Sequence, residues 1–361
     1  MSDHSDVPPT IVEVTYPPHR GSIGLRGSRE PLSWEHTMAP TASEGERHLF
    51  VLDVPAGQVI EMKLVRNEED WASGRNYAVH AGERLELWPC FDRDEPIQLP
   101  TEGLETPQGL VVFDVLLPPS YGEQDTQHYP VLYVLDGQSL WSHSQDPFGV
   151  WHLDRTLAGL YELDAVEEMI VVGIHTVESR LERMSPVPDP HLGGGEGQAL
   201  LDAIVDGLRP AINDRFRTRT GRESTAVMGS SMGGLFAFFA AWTRPDIFGK
   251  AACLSSSFWW SNRWAIRTVQ EQGPREVRPI FYLDSGASMN AHERDANLRD
   301  GFHHTRSMLR ALLNDGYTLG NDLHRLVFAG HAHNADSWSS RVALPLQLLF
   351  PPSSRPADVA S

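Results

Sequence analysis

A serine hydroxyl attacks a carbonyl only when a base accepts its proton and neighbouring donors hold the charge that develops. The stretch from Thr225 to Ala241, "TAVMGSSMGGLFAFFAA", holds a serine that such chemistry could use. Gly229-Ser230-Ser231-Met232-Gly233 fits the G-x-S-x-G spacing, with Ser231 at its centre. Glycines on either side let a strand and a helix approach closely around a sharply bent residue. The start of a helix behind that bend favours developing negative charge. The spacing alone is common in glycine-rich turns. Its place between the apolar run "STAVMG" and the apolar helix "LFAFFAAW" points to Ser231 as a nucleophile, with Ser230 structural.

A nucleophile in a strand-turn-helix bend is followed along the chain by its acid and then by its histidine. The last strand-like run, "HRLVFAG", leads into "HAHNADSW", where His331 and His333 both qualify as the base. Two histidines two residues apart also suit a metal. A metal-dependent hydrolase built on His331, His333 and the His303–His304 pair is therefore a rival that a chelator would reveal. The favoured reading has no metal and no cofactor. The acid is expected in the loop "ASMNAHERDANLRDG" after the run "PIFYLDSG", which offers Glu293, Asp295 and Asp300, while Asp284 falls inside the run itself. For the oxyanion the expected donors are two backbone N–H groups. One belongs to Met232, after the nucleophile, and one to Gln138, which follows Gly137 in "VLYVLDGQSLW".

Elements must carry these residues to one place. "LVVFDVLLP", "YPVLYVLDG", "EMIVVGIH", "STAVMG", "GKAACLSS", "PIFYLDSG" and "HRLVFAG" are near-continuous apolar runs of strand length. Helix-like segments such as "GQALLDAIVDGLRPAINDRF" and "HHTRSMLRALLNDG" lie between them. Strands buried on both faces and alternating with helices imply an α/β domain with a mostly parallel sheet, over residues 110–361. Ligands meet such a sheet at the carboxyl ends of its strands. Upstream, residues 21–91 hold short strand-like runs broken by Gly, Pro, Asn and Asp, the pattern of a small β-sandwich. The polar, Pro-rich residues 1–20 read as a loose arm, and the charged residues 92–109 as a linker.

The chain has 361 residues, 40% of them apolar, enough for two cores. Its 30 basic and 48 acidic side chains leave a net charge of −18, which argues against nucleic acid as a partner. Two distant cysteines exclude a disulfide scaffold and a Cys-based zinc site. The first residues lack the basic start and apolar core of a secretory signal, and no run is long enough for a membrane helix. A cytoplasmic protein acting on a small-molecule ester is the expectation, with the oligomeric state left open.

Taken together, these segments resemble the esterase branch of the α/β-hydrolases that includes enterochelin (siderophore) esterases, esterase D and feruloyl esterases. The resemblance covers about residues 110–350. It rests on "VLYVLDGQSLW", the block from "PAINDRF" through "GSSMGG" to "SSSFWW", "FYLDSGAS" and "HNADSWSSRVALPLQLLF". The N-terminal part resembles an immunoglobulin-like sandwich of the carbohydrate-binding-module type. The family pattern of His-Asn, with Trp four positions on, falls on His333, Asn334 and Trp338, and so prefers His333 to His331. The family's acid position is Met289 here. Counting back from "TRSMLRALL" puts Asp300 in its place, with Asp295 and Glu293 behind it and a Ser231–His333 dyad without an acid as the alternative. By the same resemblance Trp259 and Trp260 line the substrate pocket, with two core residues as the alternative; Arg180 and Arg183 in "ESRLERMSP" are candidates to hold an anionic or catecholate substrate, with plain solvated charges as the alternative. The resemblance implies a serine esterase acting through an acyl-enzyme on siderophore-type or acylated-sugar esters. The alternative is a non-catalytic siderophore- or carbohydrate-binding protein on the same scaffold.

Overall fold

The computed structural model describes residues 8–92, 95–176, 179–287 and 300–352. The larger part is built on a sheet whose eight main strands are β1 (Glu102–Thr106), β2 (Gly109–Leu117), β3 (Val131–Leu135), β4 (Ile170–Ile174), β5 (Thr225–Ser230), β6 (Lys250–Leu254), β7 (Ile280–Ala287) and β8 (Leu323–Ala329). Their order across the sheet is β1-β2-β4-β3-β5-β6-β7-β8. β1 and β2 are antiparallel to their neighbours, and the rest run parallel. The apolar runs become the central strands because both faces of the sheet are covered. One core cluster takes Tyr133, Val172 and Val227 with the helix Met232–Thr243, and the other takes Leu132, Val134 and Met228 with the helix Leu153–Glu162. In the helix Met232–Thr243 the residues from Met232 to Trp242 are all buried, so its sequence is apolar all round rather than striped.

The N-terminal part is two four-stranded sheets enclosing a core of their own, including Val12, Phe50, Ile60 and Leu64. Two expectations about the segments around it are corrected. Thr10–Thr15, inside the expected arm, is a strand paired with Arg47–Leu52 and with Arg84–Leu87. Val12 and Val14 are fully buried there, and the prolines flanking this short run mask its alternation. The expected linker 92–109 likewise supplies β1, a hairpin partner of β2, and the short strand Ile97–Gln98, which also pairs with β2. An edge strand buries little, so a charged, Pro-bounded sequence can form one.

Glu123 ties the two parts together. It accepts hydrogen bonds from the Tyr16 hydroxyl (2.8 Å) and from the backbone N–H groups of Phe91 and Asp92 (both 3.0 Å). Among the described residues no helix is long and apolar enough to cross a membrane.

Candidate active site

Ser231 lies between β5 and the helix Met232–Thr243, with φ 55° and ψ −116°. Few non-glycine residues hold a positive φ, and such strain persists only where the surroundings over-determine it. Here the Ser231 N–H donates to the Leu254 carbonyl (3.0 Å), and the Ser231 carbonyl accepts from the Ser257 N–H (2.9 Å). The glycines have a steric reason. A Cβ on Gly229 would come within 2.5 Å of the Gly233 carbonyl carbon, and one on Gly234 within 3.0 Å of the Leu254 carbonyl oxygen. Strand and helix thus pass almost in backbone contact, and the bend leaves the hydroxyl facing the carboxyl ends of the strands.

Asp300 precedes the helix Phe302–Asn314, has φ 42° and is fully buried. Its Oδ1 lies 2.7 Å from His333 Nδ1, and His333 Nε2 lies 2.8 Å from Ser231 Oγ. An ionised carboxylate can only accept, so Nδ1 carries the proton and Nε2 is left as the acceptor for the serine hydroxyl. The His-Asn-x-x-x-Trp pattern has a physical basis. The Asn334 side chain caps the helix Ala335–Ser339 by accepting from the Ser337 N–H. The Trp338 ring packs edge-on to the imidazole at 5.1 Å, and its Nε1 donates to Ser255 Oγ (3.0 Å).

Sequence reasoning missed what stands behind the carboxylate. Arg341 is 1% exposed and lies between two buried acids. Its Nη2 is 3.0 Å from Asp284 Oδ1 and 3.2 Å from Asp300 Oδ2, and its Nε is 3.1 Å from Asp284 Oδ2. Asp300 Oδ2 also accepts from Ser255 Oγ (2.7 Å) and from the Gly286 N–H. Burial pushes the Asp284 carboxyl above its ordinary value, against the pull of Arg341, the Ser255 N–H and the Tyr282 hydroxyl. Asp284 therefore serves the arginine and not the histidine.

Met232 opens its helix, so its N–H has no acceptor within the helix. Gln138 follows Asp136, which is left-handed (φ 62°), and Gly137, where a Cβ would stand 2.6 Å from the Gly173 carbonyl carbon. That close approach brings the β3 turn beside the end of β4, and Gln138 lines the cavity that opens on Ser231. The cavity holds about 860 Å³ and has an aromatic wall of Trp141, Phe148, Trp151 and Trp338. Asp114, Asp136, His175 and Arg180 are among its polar groups.

Other expected site residues are placed differently. Trp260 is corrected to a core residue. It is 1% exposed and packed in the larger core cluster, with its Nε1 donating to the Val187 carbonyl (2.7 Å). Trp259 is 43% exposed, and neither tryptophan lines the cavity at Ser231. Arg180 does line it, but its guanidinium is held by Asp136 through Nε (2.7 Å) and Nη2 (2.8 Å). The His331 ring sits tilted against Phe328 (5.3 Å between centroids), and it is His333 that reaches the serine. His303 and His304 belong to the helix Phe302–Asn314, and no three metal-binding side chains converge among the described residues. Glu293, Asp295 and Met289 lie outside the described residues.

The family model described as "Putative esterase" matches residues 105–338, about two thirds of the chain. The chain belongs to that family. Ester hydrolysis is its class of chemistry. An uncharacterized protein of Bacillus subtilis, YbbA, is 27% identical over 212 residues, 57% of this chain and 79% of that protein. The iron(III) enterobactin esterase of Escherichia coli is 27% identical over 206 residues, 55% of this esterase but only 46% of its relative. The crystal structure of the ferric enterobactin esterase from Salmonella typhimurium superposes with a TM-score of 0.52 at 16% identity. That match takes in 91% of this chain and 88% of the other, so the likeness of fold extends over the sandwich as well as the α/β part.

Proposed function

We propose that this esterase works through a Ser231–His333–Asp300 triad and an acyl-enzyme. Ser231 Oγ attacks the ester carbonyl carbon while His333 Nε2 takes its proton. Asp300 holds the imidazole in the required tautomer and stabilises its charged form. The tetrahedral oxyanion is bound by the N–H groups of Met232 and Gln138, where losing one donor costs about 3 kcal/mol of barrier. The imidazolium then gives its proton to the leaving alcohol, and water, activated by the same nitrogen, releases the acid. The observation that carries this reading is the unbroken chain of hydrogen bonds, 2.8 and 2.7 Å, from the strained serine to a fully buried carboxylate.

The aromatic cavity suits a compact ester with a ring or short acyl chain, and the similarity to enterobactin esterases favours siderophore-type esters over acylated sugars. Two measurements test these points. Hydrolysis of p-nitrophenyl butyrate is expected to show a burst, and Ser231→Ala to lower kcat by about 10⁴-fold or more while staying folded. Retained turnover in that variant would overturn the nucleophile. A panel setting a catecholate trilactone, with and without iron, against acetylated sugars, read by product mass, ranks the substrate classes.

A further inference from the structure

The cavity contains a second imidazole on a buried carboxylate, which the triad does not use. His175 directly follows β4, and its Nε2 lies 2.7 Å from Asp114 Oδ2. Asp114 is 2% exposed, in the middle of β2, an acid inside an otherwise apolar strand. Its Oδ2 also accepts from Trp141 Nε1 (2.7 Å), and its Oδ1 from Thr101 Oγ1 (2.5 Å). Burial alone would raise this carboxyl, but the His175, Thr101 and Trp141 hydrogen bonds outweigh it and hold the group below its ordinary value. An ionised Asp114 can only accept, so Nε2 of His175 must donate, and the neutral ring has its lone pair on Nδ1. The His175 side chain is 19% exposed at the cavity wall, and Nδ1 bonds to no described residue. The cavity also has unbalanced negative charge. Arg180 is hydrogen-bonded to Asp136, whereas among the described residues the Asp146 carboxylate takes its hydrogen bonds from neutral donors, the Ser139 hydroxyl and the Phe148 N–H, and feels Arg180 only through space. A carboxylate is a poor guest there, and a neutral hydrogen-bond donor a good one.

We propose that His175, its tautomer set by Asp114, is a substrate-binding residue that accepts a hydrogen bond from a hydroxyl on the ester and so selects hydroxyl-bearing substrates. This rests on the Ser231 reading, since the hydroxyl must belong to an ester bound at that serine. Near-isosteric pairs test it, ethyl 3-hydroxybutyrate against ethyl 3-methylbutyrate for the acyl side and 2-hydroxyethyl butyrate against propyl butyrate for the alcohol side. In at least one pair the wild type is expected to favour the hydroxyl ester by about three- to tenfold in kcat/KM, the worth of one neutral hydrogen bond, mainly through KM. His175→Phe should bring that ratio near one. Asp114→Asn, whose amide can either donate to Nε2 or accept from it, should lower the ratio only in part, because an Nδ1–H can donate to the same hydroxyl. Because a ratio within one variant is read, a general loss of activity does not mimic the effect. Hydrolysis of all four esters without hydroxyl preference, or a preference that survives His175→Phe in full, overturns the assignment. Hydrolysis that persists in Ser231→Ala overturns the serine reading instead.

Discussion

Arg341 stands behind the proposed catalytic acid without lining the cavity at Ser231. Two carboxylates stand within hydrogen-bonding distance of its guanidinium, and one of them, Asp300, carries His333. Replacing Arg341 with Met keeps much of the volume but leaves two buried acids without their cation. Breaking a buried ion pair from one side costs about 3–5 kcal/mol. Urea unfolding of Arg341→Met is expected to show a loss of that size, with kcat falling as Asp300 loses a contact that holds it against His333. Unchanged stability would refute the role. Asp114 makes a second prediction with a definite sign. Its carboxyl is held below its ordinary value in the folded chain. The stability it adds is complete above the unfolded value of about 4 and is lost as pH falls through the lower folded value. Asp114→Asn should therefore be less stable than the wild type at neutral pH, with the gap closing below about pH 4. A gap that stays constant down to pH 3 contradicts this.

At the scale of elements, the site depends on how closely β5 and the helix Met232–Thr243 approach. Gly229→Ala places a methyl group 2.5 Å from a backbone carbon that cannot swing aside. Overpacking of this kind costs about 1–3 kcal/mol and shifts backbone. The expected result is a lower melting temperature together with a larger loss of kcat than of substrate binding, since the bend aims Ser231. Wild-type kcat in this variant would show that the glycine serves packing alone. Much of this element was legible beforehand, because spacing and flanking apolar runs are local properties of "STAVMGSSMGGLFAFF". Trp259 and Trp260 were not legible in that way. Adjacent and chemically alike, they part company because one is sealed in a core and the other faces out. The turn in which they sit gives no hint of which is which.

Across the whole molecule, the sandwich and the α/β part meet at Glu123, a buried acceptor for the Tyr16 hydroxyl and for backbone donors at Phe91 and Asp92. Glu123→Ala leaves these groups without their acceptor, at about 1–3 kcal/mol for each one that stays buried. Glu123 does not line the cavity. Calorimetry of the variant is expected to show a lowered or split transition, while kcat on a short ester stays within about twofold of wild type. A fall in kcat as large as the fall in stability would instead couple the sandwich to catalysis.

Local pattern alone determined each apolar strand and helix, the bend at Ser231 and the candidacy of His331 and His333, because each is written within a short run of consecutive residues, and the family resemblance then preferred His333. Only the folded chain decided which acid meets the imidazole. Ser231 and His333 are 102 residues apart in sequence, and His333 and Asp300 are 33 apart. Whether such groups meet depends on the order of strands in the sheet and the conformation of the loops after them. The same holds for Arg341 between its two acids and for His175 on Asp114. A buried charge is stable only beside its partner, and that partner comes from a strand or loop elsewhere in the chain.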